Sequence, residues 1–165
     1  MPGSSDAPAV QVRRARPRDA AALVALRVEL MHAMDEADAE DPAWQERAVE
    51  WFEGALATDD AAAFVIDDDG DDDERCVVAG ALVTIGRGAP SARNPGGTTA
   101  HLSNVCTLAR ARGRGLGRAC VEAAIEWARA ADVDSVALHA TPDAEALYRS
   151  LGFTDTTYTE LRLRW

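Results

Sequence analysis

Arg112-Gly113-Arg114-Gly115-Leu116-Gly117 carries more functional information than any other stretch, because it joins an apolar, strand-like run to an amphipathic helix predicted over 115–131. Glycine allows backbone conformations that turn the chain sharply, so that several N–H groups can point at one anion. The positive end of the helix dipole adds to that attraction. Arg112, Arg114 and Arg118 surround the turn with positive charge. The stretch is therefore a candidate phosphate-binding loop.

Two common phosphate-binding patterns do not fit this loop. It lacks the Gly-Lys-Ser/Thr ending of nucleoside-triphosphate loops, and its glycines do not follow the Gly-x-Gly-x-x-Gly spacing of dinucleotide folds. What remains is Arg-x-x-Gly-x-Gly, which begins at Arg112. A second motif lies further along the chain, in Ala146-Leu147-Tyr148-Arg149-Ser150-Leu151-Gly152-Phe153.

Together the two motifs resemble those of the GCN5-related N-acetyltransferase (GNAT) superfamily, in which the Arg/Gln-x-x-Gly-x-Gly/Ala loop binds the pyrophosphate of acetyl-CoA. The resemblance covers about Val10 to Leu163 and is strongest over 100–153. Two positions depart from the family pattern. Thr141 stands where many members have Asn, and Ala109 stands where a proline is usual. Because Thr141 keeps a hydroxyl group, the resemblance still implies a contact with the coenzyme there.

Apolar periodicity predicts a single-domain α/β fold, with a mixed sheet and helices on both faces. The predicted order is β-α-α-β-β-β-α-β-α-β, which the resemblance also implies. The helices are predicted at 19–34, 42–57, 115–131 and 142–151, the last capped by Thr141 and ended by Gly152. The strands are predicted at 10–14, 62–66, 76–85, 100–108, 135–139 and 153–163. The domain spans 10–165, after a polar tail at 1–9.

Composition limits the classes of function. The 165 residues suffice for one core without disulfides or a metal, and the three cysteines lack metal-ligand spacing. A net charge of −11, with arginine as the only strongly basic residue, argues against nucleic-acid binding. No apolar run approaches membrane-spanning length, so we expect a cytoplasmic protein without membrane partners. The acidic run from Asp67 to Glu74 is interpreted as a solvated hairpin turn rather than a calcium site.

The resemblance implies a set of coenzyme-binding residues. In the family, the strand before the loop splays from its neighbour and its free backbone groups pair with the pantetheine arm. At the matching positions, the Val105 N–H would face the thioester carbonyl, and Thr107 would lie further along the arm; both residues are equally compatible with ordinary strand roles. The implied set is Val105, Thr107, Arg112, Gly113, Arg114, Gly115, Leu116, Gly117, Arg118 and Thr141.

Two residues are catalytic candidates. His101 lies eleven residues before Arg112, where several family members carry a Glu or His that accepts the amine proton. An imidazole suits that role near neutral pH, although a histidine at a strand start can also simply bond a loop carbonyl. Tyr148 matches the tyrosine that protonates the coenzyme A thiolate in many members, or it is a core tyrosine. Lesser candidates for the base are His139, Asp35, Glu36 and Asp38.

The implied function is an acetyl-CoA-dependent N-acetyltransferase in which a primary amine of a small molecule or peptide attacks directly in a ternary complex. Cys106 as an acyl-carrying nucleophile is less favoured, because an apolar strand raises the pKa of a thiol. The alternative from another class is a non-catalytic acyl-CoA-binding or regulatory module. The subtype resembles bacterial members without an assigned substrate, and homodimers are common in the family. Candidates to line the acceptor site are Trp44, Trp51, Phe52 and the loop 88–97, although core packing would explain the aromatic residues equally well.

Overall fold

The computed structural model describes residues 10–68 and 76–165. The tail predicted at 1–9 lies outside the described residues. So do residues 69–75, which include most of the acidic run. The strands are β1 (Arg13–Arg14), β2 (Ala61–Asp67), β3 (Val77–Arg87), β4 (Thr98–Thr107) and β5 (Val136–Ala137). The α-helices are α1 (Ala20–Ala33), α2 (Pro42–Ala55), α3 (Leu116–Ala130) and α4 (Pro142–Ser150). Short 3-10 helices span Pro17–Asp19 and Ala109–Ala111.

The strands form one mixed sheet in the order β1-β2-β3-β4-β5. Neighbours are antiparallel from β1 to β4, whereas β4 and β5 run parallel, with α3 as the crossover between them. A parallel pair needs such a crossover, so the position of the helix follows from the change of direction. The predicted fold class, a single-domain mixed α/β sheet, is confirmed.

Each face of the sheet carries its own hydrophobic core. On one face, α1 and α2 supply buried Leu23, Leu26 and Phe52, which pack with Leu82 and Cys106 of the strands. On the other face, α3 packs against the sheet through a second buried set. That set includes Leu116, Cys120, Val121, Ala124, Val83 and Leu102. Because both faces are covered, the central strands β3 and β4 have a fixed position, and the loop that follows β4 is anchored at its start.

The helix predictions are confirmed to within two residues at every end. Asp41 caps α2, its side chain accepting from the Ala43 N–H at 2.9 Å. Thr141 occupies the N-cap position of α4 as predicted, but its hydroxyl accepts no capping hydrogen bond. Gly152, at φ +95°, ends α4 in the left-handed conformation that favours glycine.

The strand predicted at 153–163 is wrong, because no residue in that range has a strand partner. Its alternation of apolar and polar residues is real, yet a strand also needs an edge with which to pair. The adjacent edge strand, β5, pairs over only two residues rather than the predicted five at 135–139. Large apolar side chains of the segment therefore remain exposed, among them Leu161 and Leu163.

The first strand is also shorter than the predicted 10–14, and ion pairs hold it in place. The Arg13 guanidinium donates to Asp67 at 2.6 Å and to Asp19 at 2.8 Å. Asp19 also accepts from the Arg16 N–H at 2.7 Å. Burial of Asp19 tends to raise its pKa, but the hydrogen bonds from Arg13 and Arg16 outweigh that effect and hold the pKa below its usual value. This network joins β1, the start of α1 and the end of β2.

We expect Asp19→Asn to lower the free energy of unfolding by about 2 kcal/mol, because the change removes a charge-assisted hydrogen bond at a buried position. The matched control is Asp60→Asn, which removes the exposed ion pair with Arg87 and should cost less than about 0.5 kcal/mol. Urea denaturation of both variants measures the difference. Equal losses would show that the Arg13 network does not stabilise the fold in this way.

Candidate functional site

The glycine-rich turn after β4 has the backbone that an anion site needs. Gly113 and Gly115 have φ of +76° and +75°, in the left-handed region. An added Cβ would meet nothing within 4 Å at either position, so the backbone conformation, and not space, calls for glycine. Gly115 is the N-cap of α3 and provides no side-chain cap. The N–H groups in the first turn of α3 are therefore available to a bound anion.

The turn lies against the end of β4. The Arg112 Nε donates to the Thr107 carbonyl at 3.1 Å. A Cβ on Gly117 would lie 3.2 Å from the Thr107 hydroxyl, which is tighter than most such contacts. The structure thus brings Thr107, Arg112 and Gly117, all predicted from sequence, to one place.

The arginines around the turn differ in their partners. Arg118 donates to Glu122 and to the Ser150 hydroxyl, both at 2.9 Å, so it connects the start of α3 with the end of α4. Arg110 is paired with Asp68 at 3.3 Å. In the described part of the chain, Arg112 and Arg114 have no carboxylate partner. These two arginines therefore carry most of the unneutralised positive charge of the turn.

A β-bulge interrupts β4 just before this turn. The register shifts between Gly80 and Leu82, so that Asn104 and Val105 of β4 together oppose Ala81 of β3. Asn104 takes up the extra residue in the left-handed region at φ +50°. Such a bulge bends the strand and increases its twist.

The bulge coincides with the separation of β4 from β5. Pairing between the two strands ends at His101 and Ala137. From Leu102 to Thr107, the edge of β4 that faced β5 pairs with no strand of the described residues. An extended chain with amide groups could pair with such an edge as a strand would. Val105 lies within this unpaired stretch.

His101 lies at the point where the two strands separate. Its ring is partly buried, with its centroid 5.6 Å from that of His139. Burial lowers the pKa of His101 below 6.5, His139 lowers it further, and Glu160 opposes the shift. Within the described residues, the ring makes no hydrogen bond to a loop carbonyl. The lowered pKa of His101 favours the neutral imidazole, which can accept a proton.

Tyr148 is 7% exposed, and its ring packs edge-on against Phe153, with the centroids 5.8 Å apart. Burial raises the pKa of its phenol. Tyr148, His139 and Phe153 line a common cleft of about 380 Å³. No protein group in the described chain bonds the phenol oxygen. Since no buried side-chain oxygen there lacks a partner, this hydroxyl is in contact with solvent.

Other predicted residues lie elsewhere. Burial raises the pKa of the Cys106 thiol, which does not favour a nucleophilic role. Phe52 is 2% exposed and belongs to the core, whereas the neighbouring Trp51 is 50% exposed. The acidic residues Asp35, Glu36 and Asp38 are exposed on the turn between α1 and α2.

Sequence reasoning missed three residues that shape this region. Asn104 forms the bulge, Ser150 binds Arg118, and Glu160 accepts a hydrogen bond from His139. Asn tolerates the left-handed conformation, but it does so in many loops, so residue type alone could not identify the bulge. The contacts of Ser150 and Glu160 join positions far apart in the chain, and no local pattern reports them.

Comparison with known proteins identifies the family. A profile of the Acetyltransferase (GNAT) family matches residues 24–153. The chain belongs to this family. The fold is similar to that of an inferred acetyltransferase of Clostridium acetobutylicum in complex with acetyl-CoA, at TM-score 0.79 and 19% identity, over 93% of this chain and 96% of the other. An inferred acetyltransferase of Agrobacterium tumefaciens strain C58 is 30% identical at TM-score 0.70, over 94% of this chain and all of the other.

A shorter match links this GNAT chain to a curated protein. It is 40% identical over 60 residues to a rice (Oryza sativa subsp. japonica) protein described as a probable glucosamine 6-phosphate N-acetyltransferase 2. That match spans 36% of each chain.

The described residues include no cluster of three or more His, Cys, Asp or Glu side chains that could hold a metal ion. None of the described helices is long and apolar enough to cross a membrane.

We expect Gly115→Ala to lower the free energy of unfolding by about 1–2 kcal/mol, because a Cβ disfavours the left-handed backbone. Gly54→Ala is the matched control, since Gly54 lies in α2 with nothing within 4 Å of an added Cβ and should gain about 0.5 kcal/mol. Denaturant unfolding measures both. A Gly115→Ala protein as stable as wild type would mean that the turn adopts another conformation in solution.

Proposed function

We propose that this chain is an acetyl-CoA-dependent N-acetyltransferase that acetylates a primary amine of a small molecule or peptide by direct attack in a ternary complex. The observation that supports it is the left-handed glycine turn. The turn follows the unpaired edge of β4 in the chain, and His101 lies where that edge begins. Membership of the GNAT family supports the reaction class. We further propose that the protein acts in the cytoplasm without nucleic-acid partners, since its net charge of −11 repels phosphate backbones.

The residues of the turn and of β4 suit the coenzyme. The N–H groups of Gly113 to Arg118, with Arg112 and Arg114, would hold the pyrophosphate. The free edge of β4 would pair with the amide-bearing pantetheine arm, with Val105 and Thr107 alongside it. Bound there, acetyl-CoA would supply an activated acetyl thioester. The Thr141 hydroxyl, which makes no capping bond, remains free for a further contact.

Proton movements in the proposed reaction use His101, Val105 and Tyr148. Neutral His101 accepts a proton from the acceptor ammonium, and the freed electron pair of the amine attacks the acetyl carbonyl. The Val105 N–H donates to the carbonyl oxygen as its negative charge grows. As the C–S bond breaks, Tyr148 gives its phenolic proton to the sulfur. The nitrogen of the tetrahedral intermediate loses its second proton through water, and that proton restores the phenol of Tyr148. No bond to the enzyme forms, which agrees with the raised pKa of Cys106.

The acceptor is proposed to approach over the α1 and α2 face of the sheet. His101 pairs with Thr84, which is on the same face as Leu82, and Leu82 packs under α1. The exposed turn after α1, which carries Asp35, Glu36 and Asp38, lies on that side and attracts a cationic amine. The rice relative is named for an amino-sugar phosphate, so glucosamine 6-phosphate belongs in the first panel of amines.

We expect His101→Gln and Tyr148→Phe each to lower kcat roughly 100-fold while leaving acetyl-CoA affinity within about twofold, because each change removes a proton donor or acceptor and leaves the loop and β4 in place to bind the coenzyme. The matched controls are His32→Gln and Tyr158→Phe, since both residues are exposed and neither is assigned a role in the proposed reaction. Thiol release during turnover gives kcat, and calorimetric titration gives affinity.

The same variants test the alternative, a non-catalytic acyl-CoA-binding module. That alternative predicts coenzyme binding with no turnover in the wild type against any amine of the panel. Absence of a thermal shift with millimolar acetyl-CoA or coenzyme A would refute both readings, because a ligand that binds only the folded state raises Tm.

The pH profile of kcat/KM should show a wide plateau. His101 must be neutral to accept a proton, and its pKa lies below 6.5, so activity should fall only as the pH drops below that value. Tyr148 must be protonated, and its pKa lies above 10.0, so it sets no alkaline loss below that pH. Initial rates at constant ionic strength give both limbs. The same profile for His101→Gln is the control, and an acidic limb unchanged in that variant would exclude His101 as the base.

A further inference from the structure

Two titratable side chains from other segments lie beside the proposed base, His101. His101 lies in β4, His139 follows β5, and Glu160 belongs to the C-terminal segment. The Glu160 carboxylate accepts a hydrogen bond from the His139 Nε2, and the His139 ring lies 5.6 Å from that of His101, centroid to centroid. Packing within the core explains none of these contacts, because the side chains of His139 and Glu160 are 61% and 56% exposed.

Few other groups act on this cluster. The residues paired with His101 on the neighbouring strands are Thr84 of β3 and Ala137 of β5, and neither side chain ionises. Within the described chain, the charged or titratable groups that act on His101 are His139 and Glu160. Arg162 donates to the other oxygen of Glu160 at 2.9 Å. Glu160 is thus held from two sides, and its own pKa is lowered by the bonds from His139 and then Arg162.

We propose that His139 and Glu160 are positioning residues for His101, in which Glu160 fixes the tautomer of His139 so that His139 can relay the proton that His101 accepts. The inference rests on the proposed function. A carboxylate at Nε2 keeps the His139 proton on that nitrogen, which leaves Nδ1 as an acceptor. Histidines in metal and hydrolase sites are oriented in the same way, because the hydrogen-bond partner of one ring nitrogen determines whether the other nitrogen carries a proton.

The proton transfers balance without any further reactant. An N–H bond of the acceptor ammonium breaks, its electron pair stays on the amine, and an N–H bond forms on His101. The proton then moves from His101 to Nδ1 of His139, directly or through one water, as the ring separation allows. The resulting imidazolium lies beside the negative Glu160 and loses its proton to solvent, to which the side chain is 61% exposed. Both histidines return to the neutral state.

A purely structural role would attach the C-terminal segment to the end of β5 and do nothing more. Exposed ion pairs of this kind contribute about 0–1 kcal/mol to stability, so stability measurements alone would not separate the two roles. The kcat of Glu160→Gln does separate them, because a simple tether leaves the chemical step unchanged even where its charge shifts the titration of His101.

The test is Glu160→Gln in the full chain, with Glu40→Gln as the matched control. Glu40 pairs with His32 at 3.0 Å on the surface, so the control removes the same type of contact away from the site. We expect NMR titration of the His101 ring to shift to lower pH in Glu160→Gln, because Glu160 raises its pKa. We expect kcat to fall roughly tenfold with KM for acetyl-CoA unchanged, and Glu160→Asp to restore part of it.

A kcat in Glu160→Gln that matches that of wild type and of Glu40→Gln would overturn the inference, whatever the His101 titration. The NMR titration needs no substrate, so it stands apart from the proposed function. If no amine is acetylated by the wild type but the His101 shift persists, the enzymatic proposal and the relay both fall, and only the electrostatic coupling of Glu160 to His101 is sustained.

Discussion

The separation of β4 from β5 is the constraint on which the rest of the candidate site depends. The bulge at Asn104 bends β4 where its pairing with β5 has already ended, and the Arg27 side chain of α1 donates to the Asn104 amide oxygen. Cores on both faces of the sheet keep β4 from closing the opening. A free strand edge, a glycine turn and the start of α3 therefore follow one another along a single stretch of chain.

The fold was predictable where its causes are local. The α2 and α4 boundaries follow from Asp41-Pro42 and Thr141-Pro142, because a proline in the first turn and a polar residue before it act within a few residues. Strand boundaries depend on a partner instead. The alternating segment at 153–163 has the pattern of a strand, but β5 offers only Val136–Ala137 to pair with, and pattern alone cannot reveal the length of a neighbouring edge.

The same distinction between local causes and long-range contacts holds for the candidate site. The loop from Arg112 to Gly117 was readable because a left-handed turn restricts residue type directly, and the structure does place Gly113 and Gly115 there. Its assignment to a coenzyme came from a resemblance and not from geometry. The His139–Glu160 contact could not be predicted, because it joins residues that are 21 positions apart, with α4 and an irregular segment between them. Local conformational requirements appear in a sequence, whereas long-range contacts need the fold.

The proposed ligands have opposite charges: the coenzyme is an anion and the acceptor amine is a cation. A chain of net charge −11 repels an anionic coenzyme at long range, yet salt screens that repulsion beyond about 8 Å. Affinity at the turn must then come from contacts within that distance, namely the first N–H groups of α3 together with Arg112 and Arg114. In the proposed reaction, a cationic amine would be attracted by the acidic surface, and the lowered pKa of His101 would favour the neutral ring that accepts its proton.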